Sequence, residues 1–420
     1  MQVSKFGGAS VRNADAIRNL SKIVETLDKP QVIVVSAMGK MTNAFEVLAS
    51  HFFAGEKGAL DNQYQYIRQY HESIARDLFG SFEMAVLEPF FRLLAQLDIR
   101  LKQQPSMHFD FEYDQIVSFG ELLSTRLVSA YLHFSGIDNQ WVDIRYVLKT
   151  DDIYRDATVD WELTPSLMQE TFSRDGASVY VTQGFLGGTL SNLTTTLGRE
   201  GSDYTAAIIG NALHAEQVTV WKDVPGILNA DPVLFPDAAK IDNLSYAEAI
   251  ELSYYGAKVI HPKTLKPLEN KQIPLYVKSF VDAGLPGTVI CKNGAQGLMP
   301  IFILKTNQVL LTLFPRDFSF ITEHNLSEIL ALFSNYRVRI NLLQTSALNF
   351  TACVDNKWDL TPLMDELQKK LHLRYNEEVE LLTIRHYSQK DIDEKLKGRT
   401  VIDSQITRKN ARFVLKMVTD

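Results

Sequence analysis

Cysteine is scarce in this chain: its 420 residues include only Cys291 and Cys353. The two stand far apart with no histidine cluster beside them. That leaves no disulfide framework and no zinc spacing, and both read as small apolar residues. A basic excess is missing as well. The formal net charge is -7 and the Lys and Arg residues are scattered, which argues against a nucleic-acid or membrane-surface binder. No run of about 18 apolar residues occurs, so no membrane-spanning helix is expected. The opening MQVSKFGGAS has no signal-peptide core, and the expected setting is the cytoplasm. Two common nucleotide signatures are absent too. Gly39-Lys40 is followed by Met41, with Val34 where the first glycine of a P-loop would stand, and no GxGxxG occurs.

What is present is an ordinary globular composition, 45% apolar and 22% charged, long enough for two or three domains. Val3 to Phe6 reads as a strand, followed by Gly7-Gly8 and a helix carrying Ile17, Leu20, Val24 and Leu27. The continuous run QVIVVSAM from Gln31 to Met38 reads as a buried parallel strand. Strand, helix, strand makes a βαβ unit and points to an α/β domain. Thr42 to Pro105 has helical spacing and almost no strand signal, a helical excursion from that domain. Ser118 to Phe134 reads as a further helix. Strands are expected at Trp141 to Tyr146, Ser178 to Thr182, Gln217 to Trp221, Ile273 to Lys278 and Thr288 to Lys292, with a helix from Tyr246 to Tyr255. This places a catalytic-sized domain at 1–293 and a linker at 294–299. Residues 300–387 follow the order β-α-β-β-α-β of a ferredoxin-like module. Residues 399–417 hold two strand candidates and no good second helix, and 388–420 read as a truncated second module.

The densest chemistry lies in VTQGFLGGTLSNLTTTLGREGSDYTAAIIGNAL, Val181 to Leu213. A strand end, glycines, a Thr run and a helix start at Ser202 suit an anion, since glycine permits close backbone approach and helix starts favour negative charge. Lys5 ends the first strand directly before Gly7-Gly8, where ligands bind in open α/β sheets. Arg199 suits a carboxylate and Glu121 an ammonium, which together would fit an amino-acid zwitterion. Asp203 would hold Lys5 or a metal, or act simply as a first-turn helix carboxylate.

Five motifs in order, KFGGASV (5–11), SFGELLSTRL (118–127), TTTLGREGSDYTAA (194–207), KDVPGILNADP (222–232) and AKVIHPKT (257–264), resemble those of the aspartate kinases of the amino-acid kinase fold. The tail resembles the family's ACT regulatory modules. The resemblance implies an eight-stranded, largely parallel sheet between helices, ATP as donor, Mg²⁺ as cofactor and L-aspartate as acceptor. The product would be 4-phospho-L-aspartate, on the route to lysine, threonine and methionine. It also implies roles: Lys5 at the transferring phosphoryl group, oriented by Asp203; Gly7, Gly8 and Ser10 along the phosphates; Thr42, Glu121, Arg199 and Ser202 on aspartate. Phe185 and Gly187 would shape the loop over the reacting groups. Lys222, Asp223 and Lys258 would lie at the nucleotide. No protein metal ligand is assigned. A lysine or threonine effector at the tail and a homodimer or larger assembly are further expectations.

Departures from the family pattern are Ala9 for a Thr, and Lys222, Leu228 and Val233 around the nucleotide. Glu200 stands in place of a Gly in the usual GRGGSD. Its carboxylate sits beside an anion site, so its side chain is expected to point away.

Overall fold

The computed structural model describes residues 1–80, 85–173, 176–257, 260–294, 299–317, 319–357 and 359–416. Lys258 and most of the expected linker lie outside the described residues. The chain divides into two compact units, one of residues 1–227, 240–253 and 258–295, the other of 228–239, 254–257 and 296–420. The second unit thus takes in two short segments that the sequence reading left in the first.

The first unit opens with β1 (Gln2–Phe6), α1 (Ala14–Thr26) and β2 (Gln31–Val35). The helix starts where the Asn13 side chain accepts the Ala16 N–H, the usual reason for Asn at an N-cap. Its Ile17, Leu20 and Val24 are fully buried, each worth roughly 1.5–3 kcal/mol of transfer energy. The helical excursion is α2 (Met41–Ala54), α3 (Lys57–Phe79) and α4 (Glu88–Leu101). Next come α5 (Phe109–Val117), α6 (Phe119–Phe134), β3 (Gln140–Val142), α7 (Thr164–Ser173) and β4 (Val179–Gln183). A hairpin of β5 (Leu186–Gly188) and β6 (Thr194–Thr196) precedes α8 (Gly201–Ala212). The unit closes with β7 (Val218–Lys222), β8 (Asn243–Leu244), α9 (Tyr246–Tyr255), α10 (Pro262–Lys271), β9 (Leu275–Ser279) and β10 (Thr288–Ile290).

Its eight-stranded sheet has the order β3-β4-β2-β1-β7-β9-β10-β8. Every pairing is parallel except β9 with β10. β1 lies between β2 and β7, with Lys5 opposite Val34 and Val220. Buried on both faces, these strands explain the unbroken apolar runs. The carboxyl ends of β1, β2, β4 and β7 therefore face the same way.

The second unit is one six-stranded antiparallel sheet. Its elements are β11 (Ile301–Pro315), α11 (Glu323–Asn335), β12 (Ile340–Thr345), β13 (Phe350–Asp355), α12 (Thr361–Lys370), β14 (Leu371–Arg385), α13 (Gln389–Leu396), β15 (Val401–Ile406) and β16 (Asn410–Lys416). The strand order is β12-β13-β11-β14-β16-β15. Register shifts in β11 between Lys305 and Leu310 mark a change of core along the strand. Val309, Leu311 and Leu313 pack with α11 and α12 residues such as Ile329, Phe333 and Leu363. Phe302 and Leu304 pack instead with Leu382, Ile384, Ile392 and Phe413.

The two strands expected after residue 399 are β15 and β16, and ahead of them stands a helix that the sequence reading did not place. α13 is present, started by a capping box of Ser388 and Asp391. Only Ile392 of its eight residues is buried, so no apolar stripe marked it in the sequence. Buried residues of α13 and β16 share a core with strands β11 and β14. Among the described residues no helix is long and apolar enough to cross a membrane.

Candidate active site

Four neighbouring parallel strands end at one cavity of about 670 Å³. After β1 come Gly7, Gly8 and Ser10; after β2, Ser36, Ala37 and Gly39; after β4, Phe185; after β7, Asp223. The start of α8 adds Ser202 and Asp203, and the first turn of α2 adds Thr42. Convergence of loops at the carboxyl ends of parallel strands is the usual ligand position in such sheets.

The turn after β1 is tied to the turn after β2, as Gly39 N–H donates to the Gly8 carbonyl at 2.9 Å. A Cβ on Gly8 would lie 2.6 Å from the Gly39 oxygen and 2.9 Å from the Ala37 oxygen. Only glycine permits this approach, which keeps backbone donors at the cavity wall.

Charge in the cavity centres on Asp203. Its Oδ1 lies 2.6 Å from Lys5 Nζ, and its Oδ2 lies 3.8 Å from Lys222 Nζ. Burial alone would push this carboxyl up, but the two ammonium groups outweigh it and hold Asp203 below its ordinary range. Lys5 is itself buried. The result is a fixed pair of cations steadied by one anion, the kind of preorganised charge that phosphate oxygens meet favourably.

Glu121, in the first turn of α6, has the opposite environment. Full burial pushes it up to about 8, against the Ala37 N–H that donates to Oε1 at 3.2 Å and the more distant Lys5 charge. Its Oε2 is buried without a hydrogen-bond partner among the described residues. An incoming ammonium would supply that partner and favour the ionised form. Arg199 is exposed at the cavity, and among the described residues no carboxylate pairs with it, so its fork is open to a ligand.

Glu200 is the N-cap residue of α8, in the left-handed region at φ 54°. Its carboxylate is engaged by the His261 backbone N–H at 2.9 Å.

The cavity brings together Lys5, Gly7, Gly8, Ser10, Thr42, Glu121, Phe185, Arg199, Ser202, Asp203, Lys222 and Asp223. Gly187 is not among its lining residues. It sits in the β5–β6 hairpin, where a Cβ would meet the Thr150 methyl at 2.6 Å, so its smallness serves packing there. Lining residues that sequence reasoning missed include Glu46, Tyr113 and Arg155. Glu46 follows Thr42 by one helical turn, so the helical spacing of α2 was a usable signal. Tyr113 and Arg155 carried none.

A model described as the amino acid kinase family matches residues 1–279. The chain is 34% identical to lysine-sensitive aspartokinase 3 of Escherichia coli strain K12, over 84% of this chain and 78% of that protein. It is 32% identical to the chloroplastic aspartokinase 2 of Arabidopsis thaliana, over 87% and 70% respectively. The chain belongs to the aspartokinases of the amino acid kinase family. The crystal structure of E. coli aspartokinase III in complex with lysine and aspartate matches with a TM-score of 0.83 at 30% identity. The match covers 99% of this chain and 96% of that one. The E. coli enzyme in complex with aspartate and ADP matches with a TM-score of 0.82 at 29% identity, with the same coverage. This aspartokinase therefore has a family enzyme's catalytic fold over its first unit and an antiparallel ACT-type sheet in its second.

Proposed function

We infer that the cavity transfers the γ-phosphoryl group of ATP to the side-chain carboxylate of L-aspartate, giving 4-phospho-L-aspartate and ADP. The observation that carries this reading is the buried Lys5–Asp203 pair at 2.6 Å, set where four parallel strands end. Family membership and the aspartate and ADP complexes of the E. coli enzyme support it.

In this reading Lys5 and Lys222 neutralise the phosphoryl oxygens and Asp203 keeps both cations in place. Gly7, Gly8 and Ser10 present backbone and hydroxyl donors to the phosphates, and Asp223 lies on the nucleotide side. Arg199 takes the acceptor's α-carboxylate, and Glu121 its ammonium, with Thr42, Ser202 and Phe185 around them. The ionised side-chain carboxylate attacks the γ-phosphorus in line, and the bond to the β,γ-bridging oxygen breaks. No proton has to move and no enzyme-bound phosphoryl forms. Positioning and electrostatics do the work.

Mg²⁺ fits this site as a companion of the nucleotide. Among the described residues no group of three or more His, Cys, Asp or Glu converges, and Asp203 is already held by two ammoniums. The ion would be held mainly by phosphate oxygens, as Mg²⁺ in kinases commonly is, and would add charge neutralisation there.

The second unit reads as two ACT-type modules sharing a sheet, since the cluster around α11 and α12 and the cluster around α13 pack on different stretches of β11. The lysine complex of the E. coli relative supports a lysine effector here, with threonine as the alternative. The edge strands β12 and β15 offer routes to a homodimer or larger assembly.

The test is incubation with ATP, Mg²⁺ and a panel of acceptors, with acyl phosphate trapped by hydroxylamine. Aspartate should give hydroxamate. No product from aspartate, or a preference for N-acetylglutamate, sinks the reading. Repeating the assay with lysine and threonine, alongside a measurement of assembly size, tests the regulatory part.

A further inference from the structure

The cavity wall contains a second arginine that the aspartokinase reading does not use. Arg155 lies in the loop between β3 and α7 and lines the cavity with Tyr113 and Glu46. Its guanidinium sits 4.5 Å over the Tyr113 ring. Tyr113 is buried, and its hydroxyl donates to Glu46 Oε1 at 2.6 Å. Arg155 Nη1 also pairs with Asp110 at 3.0 Å on the exposed side. A cation lying on a held aromatic ring keeps its planar fork in one orientation.

The backbone is held as firmly as the side chain. Arg155 has φ 69°, in the left-handed region where a residue with a Cβ is uncommon. Its N–H donates to Asp114 Oδ2 at 3.0 Å. Asp114 is fully buried and also accepts the Thr196 N–H at 2.9 Å and the Thr196 hydroxyl at 2.8 Å. One carboxylate thus ties Arg155 to the strand that leads into Arg199. The same loop presses on the turn before Arg199, where a Cβ on Gly198 would lie 3.1 Å from the Arg155 carbonyl oxygen. Backbone strain that the surroundings over-determine is a mark of functional placement.

We propose that Arg155 is a second acceptor-binding cation, placed beside Arg199 to take the substrate's α-carboxylate, with Tyr113 and Glu46 as the positioning residues that hold its guanidinium. On binding, the guanidinium exchanges its exposed partner Asp110 for the incoming carboxylate while its stack on Tyr113 stays. Two arginines would then grip one carboxylate, and Glu46 and Glu121 give the same wall the charge that suits an ammonium. This rests on the aspartate reading of the cavity.

The test uses Arg155→Gly in the full chain. Glycine suits φ 69°, so the loop keeps its path and only the guanidinium is removed. The loss in kcat/KM should fall on the aspartate KM, raised about tenfold or more, while the ATP KM stays within about twofold. Tyr113→Phe, which keeps the ring and releases Glu46, should give a smaller rise in the same constant. The melting temperature of Arg155→Gly should equal or exceed that of the unchanged protein. An unchanged aspartate KM, or a loss confined to the ATP KM, overturns the proposal. If the unchanged protein makes no hydroxamate from aspartate, the acceptor reading itself has failed, which is a separate result.

Discussion

Glu200 and His261 are joined through a side-chain-to-backbone hydrogen bond of 2.9 Å, the Glu200 carboxylate accepting the N–H that precedes helix α10. The bond accounts for a carboxylate beside an anion site and for a non-glycine residue at φ 54°. Two opposing effects follow. Glu200→Gly loses the bond but relieves the left-handed strain, each worth on the order of 1 kcal/mol, so its stability should stay close to that of the unchanged protein. Glu200→Ala loses the bond and keeps the strain, and should be less stable by about 1 kcal/mol. Denaturant unfolding of the two variants side by side decides it. An alanine variant as stable as the glycine variant would remove the bond from the account.

Asp203 gives a prediction with two readouts. Asp203→Asn should lower kcat by a factor on the order of a hundred or more, because Lys5 and Lys222 lose the anion that fixes them. Binding of aspartate should change much less. Asp203 is held below its ordinary range in the folded state. Such a group stabilises the fold above its unfolded pKa, and that contribution is lost as pH falls through the folded value. The unchanged protein should therefore lose stability in acid, below the ordinary carboxylate range, more steeply than Asp203→Asn. Parallel acid-unfolding slopes for the two would contradict the assignment.

The α/β class and seven of the eight strands of the large sheet were legible, because strands buried in such a sheet write apolar runs, whereas β8 and the hairpin strands β5 and β6 were too short and polar to be read. Lys5 at a strand end and Glu121 at a helix start belonged to recognisable motifs. Arg155 and Tyr113 escaped because each reaches the cavity from a different element and nothing local marks that convergence, whereas Glu46 could have been read one helical turn after Thr42. Gly187 is a related case, since a glycine beside a ligand loop and a glycine packed on Thr150 look alike in sequence. The helix α13 was missed because one buried Ile392 makes no periodic stripe, and the Ser388–Asp391 capping box was the only local sign of it.

Glu121 sets a pH dependence on the acceptor side. Burial raises it to about 8 in the cavity without ligand. Its folded pKa is raised, so its contribution to stability is full below its unfolded value, near 4.5, and declines as pH rises toward about 8. Binding runs the other way, since an ammonium needs the ionised carboxylate. The aspartate KM should fall as pH rises from about 6 to about 8, and Glu121→Gln should flatten that slope while raising KM throughout. Initial-rate measurements across this range, with ATP saturating, test it. A slope that survives in Glu121→Gln would assign the titration to another group.

Gly8 tests the donor side. A methyl group there would collide with two backbone carbonyl oxygens, those of Gly39 at 2.6 Å and Ala37 at 2.9 Å. Neither is the free end of a side chain, so the turns after β1 and β2 must part for it to fit. The Gly39 N–H to Gly8 carbonyl bond at 2.9 Å would lengthen with them. Gly8→Ala should raise the ATP KM about tenfold or more and lower stability by about 1–3 kcal/mol. The aspartate KM should move less, because Arg199 stands in the turn before α8 and Glu121 on α6 rather than on these turns. Gly7→Ala is the control, since a Cβ there meets only Lys5 Nζ, at 3.5 Å, an ordinary contact. If both substitutions cost the same, close approach of the Gly8 backbone is not what the phosphates require.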